Sequence, residues 1–393
     1  MLNTSFSPWP QFTEEEIDAV RNVLLTNRVN YWTGAQTRDF EKEFADYHGS
    51  KHAIAVANGT LALELALHAL GIEAGDEVVV TPRTFIASVS CVVSCGGTPV
   101  FADVDRDSQN ISAKTIAPVI TAATKAIIVV HLAGQPADMD EIMTLANKHD
   151  IKVIEDCAQA HGAQYKGRHV GTIGHIGAWS FCQDKIMTTG GEGGMVTTQD
   201  SDLWSLMWSY KDHGKSHDAV FNKSHPVGFR WLHESFGSNY RMLEMQAAIG
   251  RIQLKRLPLW QKQRRQNAEI IWEACRSMSW LRVPEIQPYV EHAAYRAYAF
   301  VDQSKLPEGW DRDRIMAEIG SVGVPVFSGS CSEVYLEKAF NDTGWVPKEP
   351  LPVAHELGEC SLMFLVHPTL TSQEIEKTVA AVSHVDQLMY SVV

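Results

Sequence analysis

Between about residues 50 and 200 the chain alternates short β-branched runs with helical ones, and this alternation restricts its fold more than any other feature. Residues 52–57, 77–80, 99–102, 126–130 and 152–154 read as strands, while 61–70, 85–93 and 139–148 have helical spacing. Strand and helix in turn mean βαβ units. The expectation is an α/β fold whose mostly parallel sheet is covered by helices on both faces. A further strand pair is expected at 177–181 and 194–198, on either side of a glycine-rich turn.

The later part of the chain reads differently. From Met242 a long helical pattern, "MLEMQAAIGRIQLKRLPLWQKQRRQNAEIIWEACRSM", is interrupted by Pro258, which should kink or break it. The sequence therefore divides into a large domain with its N-terminal segment, 1–254, and a small C-terminal α+β domain, 255–393. The second is expected to hold a strand at 297–302 and helices at 312–319 and 372–389. A chain of 393 residues is long enough for both cores.

Composition removes several classes of function. No apolar run approaches the roughly 20 residues of a membrane helix, so no membrane partner is expected. A net charge of −13 argues against a grip on nucleic acid, and the basic run Lys262-Gln-Arg-Arg265 reads as a solvated helix face. Seven widely spaced cysteines with no Cys-x-x-Cys pair fit reduced thiols in a cytoplasmic protein. The first ten residues have neither the basic start nor the apolar centre of a secretory signal.

Ligands of open α/β sheets sit beyond the carboxyl ends of the strands, and four segments lie there. In "ANGTLA", Gly59, Thr60 and the free amides of a helix start could hold a phosphate, although a plain N-cap turn fits the same residues. In "TPRTFIAS", Phe85 could lie against a flat ring or simply pack in the core. In "IEDCAQ", Asp156 could pair with a protonated pyridine nitrogen, cap a loop or belong to a metal site, for which His161 alone completes no ligand set. In "SFCQDKIMTTGGEGG", Lys185 has the room among glycines that a Schiff-base lysine needs to swing, or it is a surface cation.

Together "NGTLALELAL", "TPRTFIAS", "EDCAQAHGA", "SFCQDKIMTTGGEGG" and "FGSNYRMLEMQAAIGRIQL" resemble the motif series of the DegT/StrS-type nucleotide-sugar aminotransferases, which have the type I pyridoxal-phosphate fold. The resemblance runs in family order from about residue 29 to 370. It implies that Lys185 is the Schiff-base lysine and that Asp156 pairs with the pyridine nitrogen of pyridoxal 5'-phosphate. It further implies that Phe85 stacks on the ring, that Gly59, Thr60 and Ser180 hold the phosphate, and that Gln159 bonds the ring hydroxyl. Asn239 matches a residue that reaches the phosphate from the other subunit of a homodimer, so the active site would be shared.

The same resemblance implies transfer of an amino group from glutamate to a nucleotide-linked ketosugar, most simply a 4-keto-6-deoxyhexose, with the cofactor cycling through pyridoxamine phosphate. Amino sugars for surface polysaccharide or glycans would be the product. Trp32, His213 and Tyr240 lie in segments where family members approach the sugar nucleotide. The family also contains dehydratases with histidine in place of the lysine, and regulators that keep the cofactor without turnover. The intact Lys185 favours transamination. Around "PVFSGSC", residues 325–331, the sequence departs from the family's tyrosine- and histidine-bearing pattern, which leaves the sugar open.

Overall fold

The structure, a computed structural model, describes residues 6–390; residues 1–5, half of the stretch read above for a leader, lie outside the described residues. Seven strands make the main sheet: β1 (His52–Val56), β2 (Glu77–Val80), β3 (Thr98–Phe101), β4 (Thr124–Val130), β5 (Lys152–Asp156) and, after a short hairpin of β6 (Gln164–Tyr165) and β7 (Arg168–His169), β8 (Ile176–Ser180) and β9 (Gly194–Thr198). Their spatial order is β1-β9-β8-β5-β4-β2-β3. The pairs from β3 through β8 are parallel, and β9 runs antiparallel to both its neighbours, so the sheet is mixed and mostly parallel, as the alternation of elements predicts.

These strands are almost wholly buried, with Val78, Val79, Ile127, Ile128, Val153 and Ile154 at the centre of two core clusters. Burial on both faces explains why they read as continuous apolar runs rather than alternating ones. β5 extends two residues beyond the expected end, taking Glu155 and Asp156 into the strand. Acidic residues disfavour strands in general, and here their buried side chains have hydrogen-bond partners that offset the cost.

A second sheet, antiparallel, contains β10 (Leu281–Arg282), β12 (Ala297–Val301), β13 (Val326–Phe327) and β14 (Ser361–Phe364) in the order β10-β12-β14-β13, while β11 (Val290–Glu291) joins the β6–β7 hairpin. Helix Arg312–Ser321 packs on it and helix Ser372–Tyr390 packs on that helix, giving the α+β composition expected of the C-terminal part.

The expected break at Pro258 does not occur. One helix, Glu244–Arg276, passes through it and through position 255, where the domain division was placed. Proline removes one hydrogen bond from the ladder, but this helix packs against helices Glu14–Leu25 and Gln36–His48, and tertiary packing outweighs the local loss. The basic run also departs from expectation: Arg264 is fully buried rather than on a solvated face. Among the described residues all seven cysteines are free, and no helix is long and apolar enough to cross a membrane.

Candidate active site

The carboxyl ends of three adjacent parallel strands meet at one edge of the main sheet. β5 ends on Asp156, β8 on Ser180, and β4 leads directly into His131. Successive strand residues face opposite ways, so Glu155 and Asp156 serve different surroundings. Glu155 accepts the N–H groups of Gly171 (2.8 Å), Ile173 (2.8 Å) and Gly174 (2.6 Å) and lies 2.9 Å from His131 Nε2. The Ala137 N–H donates to His131 Nδ1 at 3.1 Å, which fixes the proton on Nε2. Burial raises the Glu155 pKa, but His131 and the amides outweigh it and hold the carboxyl below its ordinary value. His131, Glu155 and Cys157 lie close enough to surround a cation, yet the carboxylate and both ring nitrogens are already engaged; the cluster braces the end of β5.

Asp156 is less well compensated. Its Oδ2 accepts from Ser88 Oγ at 2.8 Å and its Oδ1 from the Ala158 N–H at 3.1 Å. Burial nevertheless pushes its pKa up. Among the described residues no cation forms an ion pair with it. A buried carboxylate in this state is costly and suits a ligand that brings a positive charge.

The opposite wall is built from glycines. Helix Gly59–Ala69 follows β1 directly, with Asn58 as its N-cap accepting the Leu61 N–H at 3.0 Å, and the amides of Gly59 and Thr60 open this helix. A Cβ on Gly59 would stand 2.6 Å from Ser180 Cβ, and one on Gly194 would stand 2.4 Å from the Asn58 carbonyl oxygen. Only residues without side chains let the helix start, the end of β8 and the return strand β9 come this close. The helix start at Gly59 and Thr60 thus lies against Ser180, a cradle of the kind that suits an anion.

Lys185 lies in the turn between β8 and β9. Its carbonyl accepts from Trp9 Nε1 at 2.7 Å, and its N–H donates to the Cys182 carbonyl at 3.1 Å. Nζ stands 3.9 Å from Asp184 Oδ1 and 5.5 Å from the Tyr295 ring centroid, while the Tyr295 hydroxyl donates to Asp184. Burial pulls the Lys185 pKa down, but Tyr295, Asp184 and Asp156 outweigh it, so the amine is held above its ordinary value.

Phe85 lies in the turn before helix Ala87–Ser94 and is 67% exposed, so it is not a core residue. Gln159 accepts the Ala133 N–H at 2.8 Å through Oε1, which leaves its amide nitrogen to donate elsewhere. Lys185, Asp156, Gly59, Thr60, Phe85, Gln159 and Ser180 thus all belong to the strand ends and adjoining turns of one sheet edge.

The residues expected at the sugar form a separate group. Trp32 packs against Trp208 and Phe221, with Lys215 Nζ 4.5 Å from its ring centroid. Tyr240 donates to Glu64 at 3.1 Å, and its carbonyl accepts the Ala57 N–H next to the Gly59 turn. His213, with a left-handed backbone (φ 60°), donates its N–H to Ser238, and Asn239 pairs with Asp212. The single chain shows no hydrogen bond or ring contact from these four to Lys185 or Asp156 among the described residues.

Sequence reasoning missed Ser88, His131, Trp9 and Tyr295. Ser88 stands within a motif already singled out, and the pair Glu155-Asp156 at a strand end signals that one carboxylate needs a partner of its own.

A family model described as the DegT/DnrJ/EryC1/StrS aminotransferase family matches residues 10–383. GDP-perosamine synthase of Caulobacter vibrioides is 37% identical, with 96% of each chain covered. The dTDP-3-amino-3,6-dideoxy-alpha-D-galactopyranose transaminase of Aneurinibacillus thermoaerophilus is 32% identical over 94% of this chain and 95% of its own. The X-ray structure of an aminotransferase from Psychrobacter cryohalolentis superposes with a TM-score of 0.97 at 61% identity, covering 98% of this chain and all (100%) of that one. The motif order, the strand-end geometry and this matched span agree: the chain belongs to the DegT/DnrJ/EryC1/StrS aminotransferase family.

Proposed function

We propose that the protein is a pyridoxal-phosphate-dependent aminotransferase that moves an amino group from glutamate to a nucleotide-linked ketosugar, with a 4-keto-6-deoxyhexose as the first candidate. The observation that carries this reading is the buried Asp156 without an ion-pair partner among the described residues, on the strand beside the one that ends on Ser180 and leads into the Lys185 turn. The donor set fits pyridoxal phosphate: the cradle suits its phosphate, Asp156 its ring nitrogen, exposed Phe85 its ring face and the Gln159 amide its hydroxyl. When bound, that cofactor supplies an electron sink for the transfer of a proton and an amino group.

The chain's own residues have definable tasks. Lys185 Nζ carries a proton and is held near Asp184 and Tyr295, ready to release it and take it back. Asp156 supplies a negative charge fixed by Ser88 and the Ala158 amide. Trp9 secures the Lys185 main chain, so the side chain moves from a fixed base.

Relatives named for a GDP-linked and a dTDP-linked sugar support a nucleotide sugar as acceptor without favouring one nucleotide. A homodimer with Asn239 reaching the partner's phosphate site is part of the same reading, as is a contribution of Trp32, His213 and Tyr240 to the sugar site. Its support is the loop after helix His217–Phe221, which leaves Phe229, Trp231 and Phe236 strongly exposed. The division near residue 255 rests on the two sheets, one formed wholly before it and one wholly after. A cytoplasmic location rests on the free cysteines.

The test is incubation of the cofactor-loaded protein with glutamate and a panel of nucleotide 4-ketosugars. Accumulation of 2-oxoglutarate with one aminated sugar, identified by mass and NMR, is expected. Release of ammonia or water without net amination of any sugar would place the protein with the dehydratases instead.

A further inference from the structure

Positive charge around Lys185 exceeds what the nearby carboxylates balance. Arg264 is fully buried, and its Nη1 donates to the Tyr295 carbonyl at 3.3 Å. Its Nε and Nη2 have no hydrogen-bond partner among the described residues, and its guanidinium lies 4.9 Å from the Trp9 ring centroid. Arg296, from β12's approach, also donates to the Tyr295 carbonyl, at 3.0 Å, and its guanidinium lies 4.2 Å from the Tyr295 ring. Both arginines therefore converge on the residue whose ring faces Lys185 Nζ.

Among the described residues one carboxylate comes within ion-pair distance of both Lys185 and Arg296. Asp184, about half exposed, lies 3.9 Å from Lys185 Nζ and 3.9 Å from Arg296 Nη2. A charge-assisted N–H···O bond spans about 2.7–2.9 Å, so Asp184 is close to both cations without engaging either, and its short bond goes to the Tyr295 hydroxyl instead. Arg296 thus keeps unsaturated donors within the width of one carboxylate from the amine that would exchange with the donor. A planar guanidinium with free donors is the group that binds carboxylates in a paired geometry.

We propose that Arg296 receives a carboxylate of the amino donor, and that Asp184 faces the guanidinium only while no donor is present. This rests on the reading of glutamate as donor. Arg264, too deeply buried to touch the donor, adds to the positive field behind Tyr295. On donor entry the incoming carboxylate replaces Asp184 beside Arg296, and the net charge around the guanidinium is unchanged. Asp184 is thus a competitor within the site, a property that fits a pocket which must also admit a second substrate.

Two readouts on the cofactor-loaded protein test this. The first is the conversion of the cofactor by glutamate alone, followed by absorbance as a function of glutamate concentration. Arg296→Gln is expected to raise the half-saturating concentration at least about tenfold with little change in the limiting rate, and Arg296→Lys to recover part of the loss. Asp184→Asn is expected to lower it. The second readout is calorimetric binding of glutarate, a dicarboxylate that cannot react, which should weaken in parallel in Arg296→Gln and tighten in Asp184→Asn. Half-saturation and glutarate affinity within about twofold of wild type in Arg296→Gln would overturn the assignment, as would weaker binding in Asp184→Asn. If Arg296→Gln fails to fold, Arg296→Lys and Asp184→Asn decide by the same two measurements. Should the wild type not respond to glutamate while glutarate binding still depends on Arg296, the donor is wrong and the carboxylate site stands.

Discussion

Glu155 and Asp156 are neighbours in sequence with opposite electrostatic fates. Glu155 is saturated by three amides and His131, which depresses its pKa, whereas Asp156 has two donors and a raised one. The sign for Asp156 follows from linkage. Its folded carboxyl binds a proton at pH values where the unfolded chain, near the ordinary value of about 3.9, has lost it, so the cofactor-free fold loses stability as pH rises through that window. Cofactor-free Asp156→Asn should therefore melt no lower than wild type at neutral pH, while amino transfer falls by about a hundredfold or more. Calorimetry beside a rate assay checks both; a lower melting temperature with activity retained would contradict the account. Asp156 and Lys185 stand out in the sequence because one follows a strand and the other sits beside a run of glycines, whereas Ser180 enters only through the family resemblance. Ser88 and His131 do not stand out, because the partners they serve lie 68 and 24 positions away.

At the scale of elements, the β-branched runs and their spacing reveal every strand of the main sheet, since buried parallel strands need continuous apolar residues. Two features stay hidden. The last residues of β5 are acidic, and nothing local reveals that they are partnered; the helix through Pro258 persists because of its packing against three other helices. The cradle is the element-level feature most exposed to test. In Gly59→Ala the new Cβ would meet Ser180 Cβ at 2.6 Å, so either the helix start or the end of β8 must move. Pyridoxal phosphate affinity, measured by equilibrium dialysis, should fall by about tenfold or more, with the fold retained by circular dichroism. Phosphate-free pyridoxal should lose much less; equal losses would mean that the cradle does not hold the phosphate.

For the whole molecule, composition and charge argue against nucleic-acid and membrane partners but say little about pH. Burial lowers the pKa of His161, His292 and His367 to about 3, helped at His161 by Lys185, at His292 by Arg265 and at His367 by Arg264 and Arg296. Between the ordinary histidine value, 6.5, and about 3 the unfolded chain binds protons that the folded one does not. Stability is therefore full above that ordinary value and is lost as pH falls through the window. Three such groups give a slope approaching about 4 kcal/mol per pH unit in the middle of it. Denaturant unfolding at a series of pH values below neutrality reads this slope directly, and a flat profile would show that these histidines take up protons in the fold. Because two of the three belong with arginines near the Lys185 turn, the triple burial is a consequence of how the site is packed, which no single stretch of sequence displays.

The central claim is that Lys185 bonds covalently to pyridoxal phosphate. Borohydride reduction of the loaded protein, followed by proteolysis and mass spectrometry, tests it most directly. The account predicts a reduced phosphopyridoxyl group on the peptide containing Lys185, and neither adduct nor bound colour fixed by reduction in Lys185→Ala. An adduct on another lysine, or amino transfer that survives in Lys185→Ala, would contradict it.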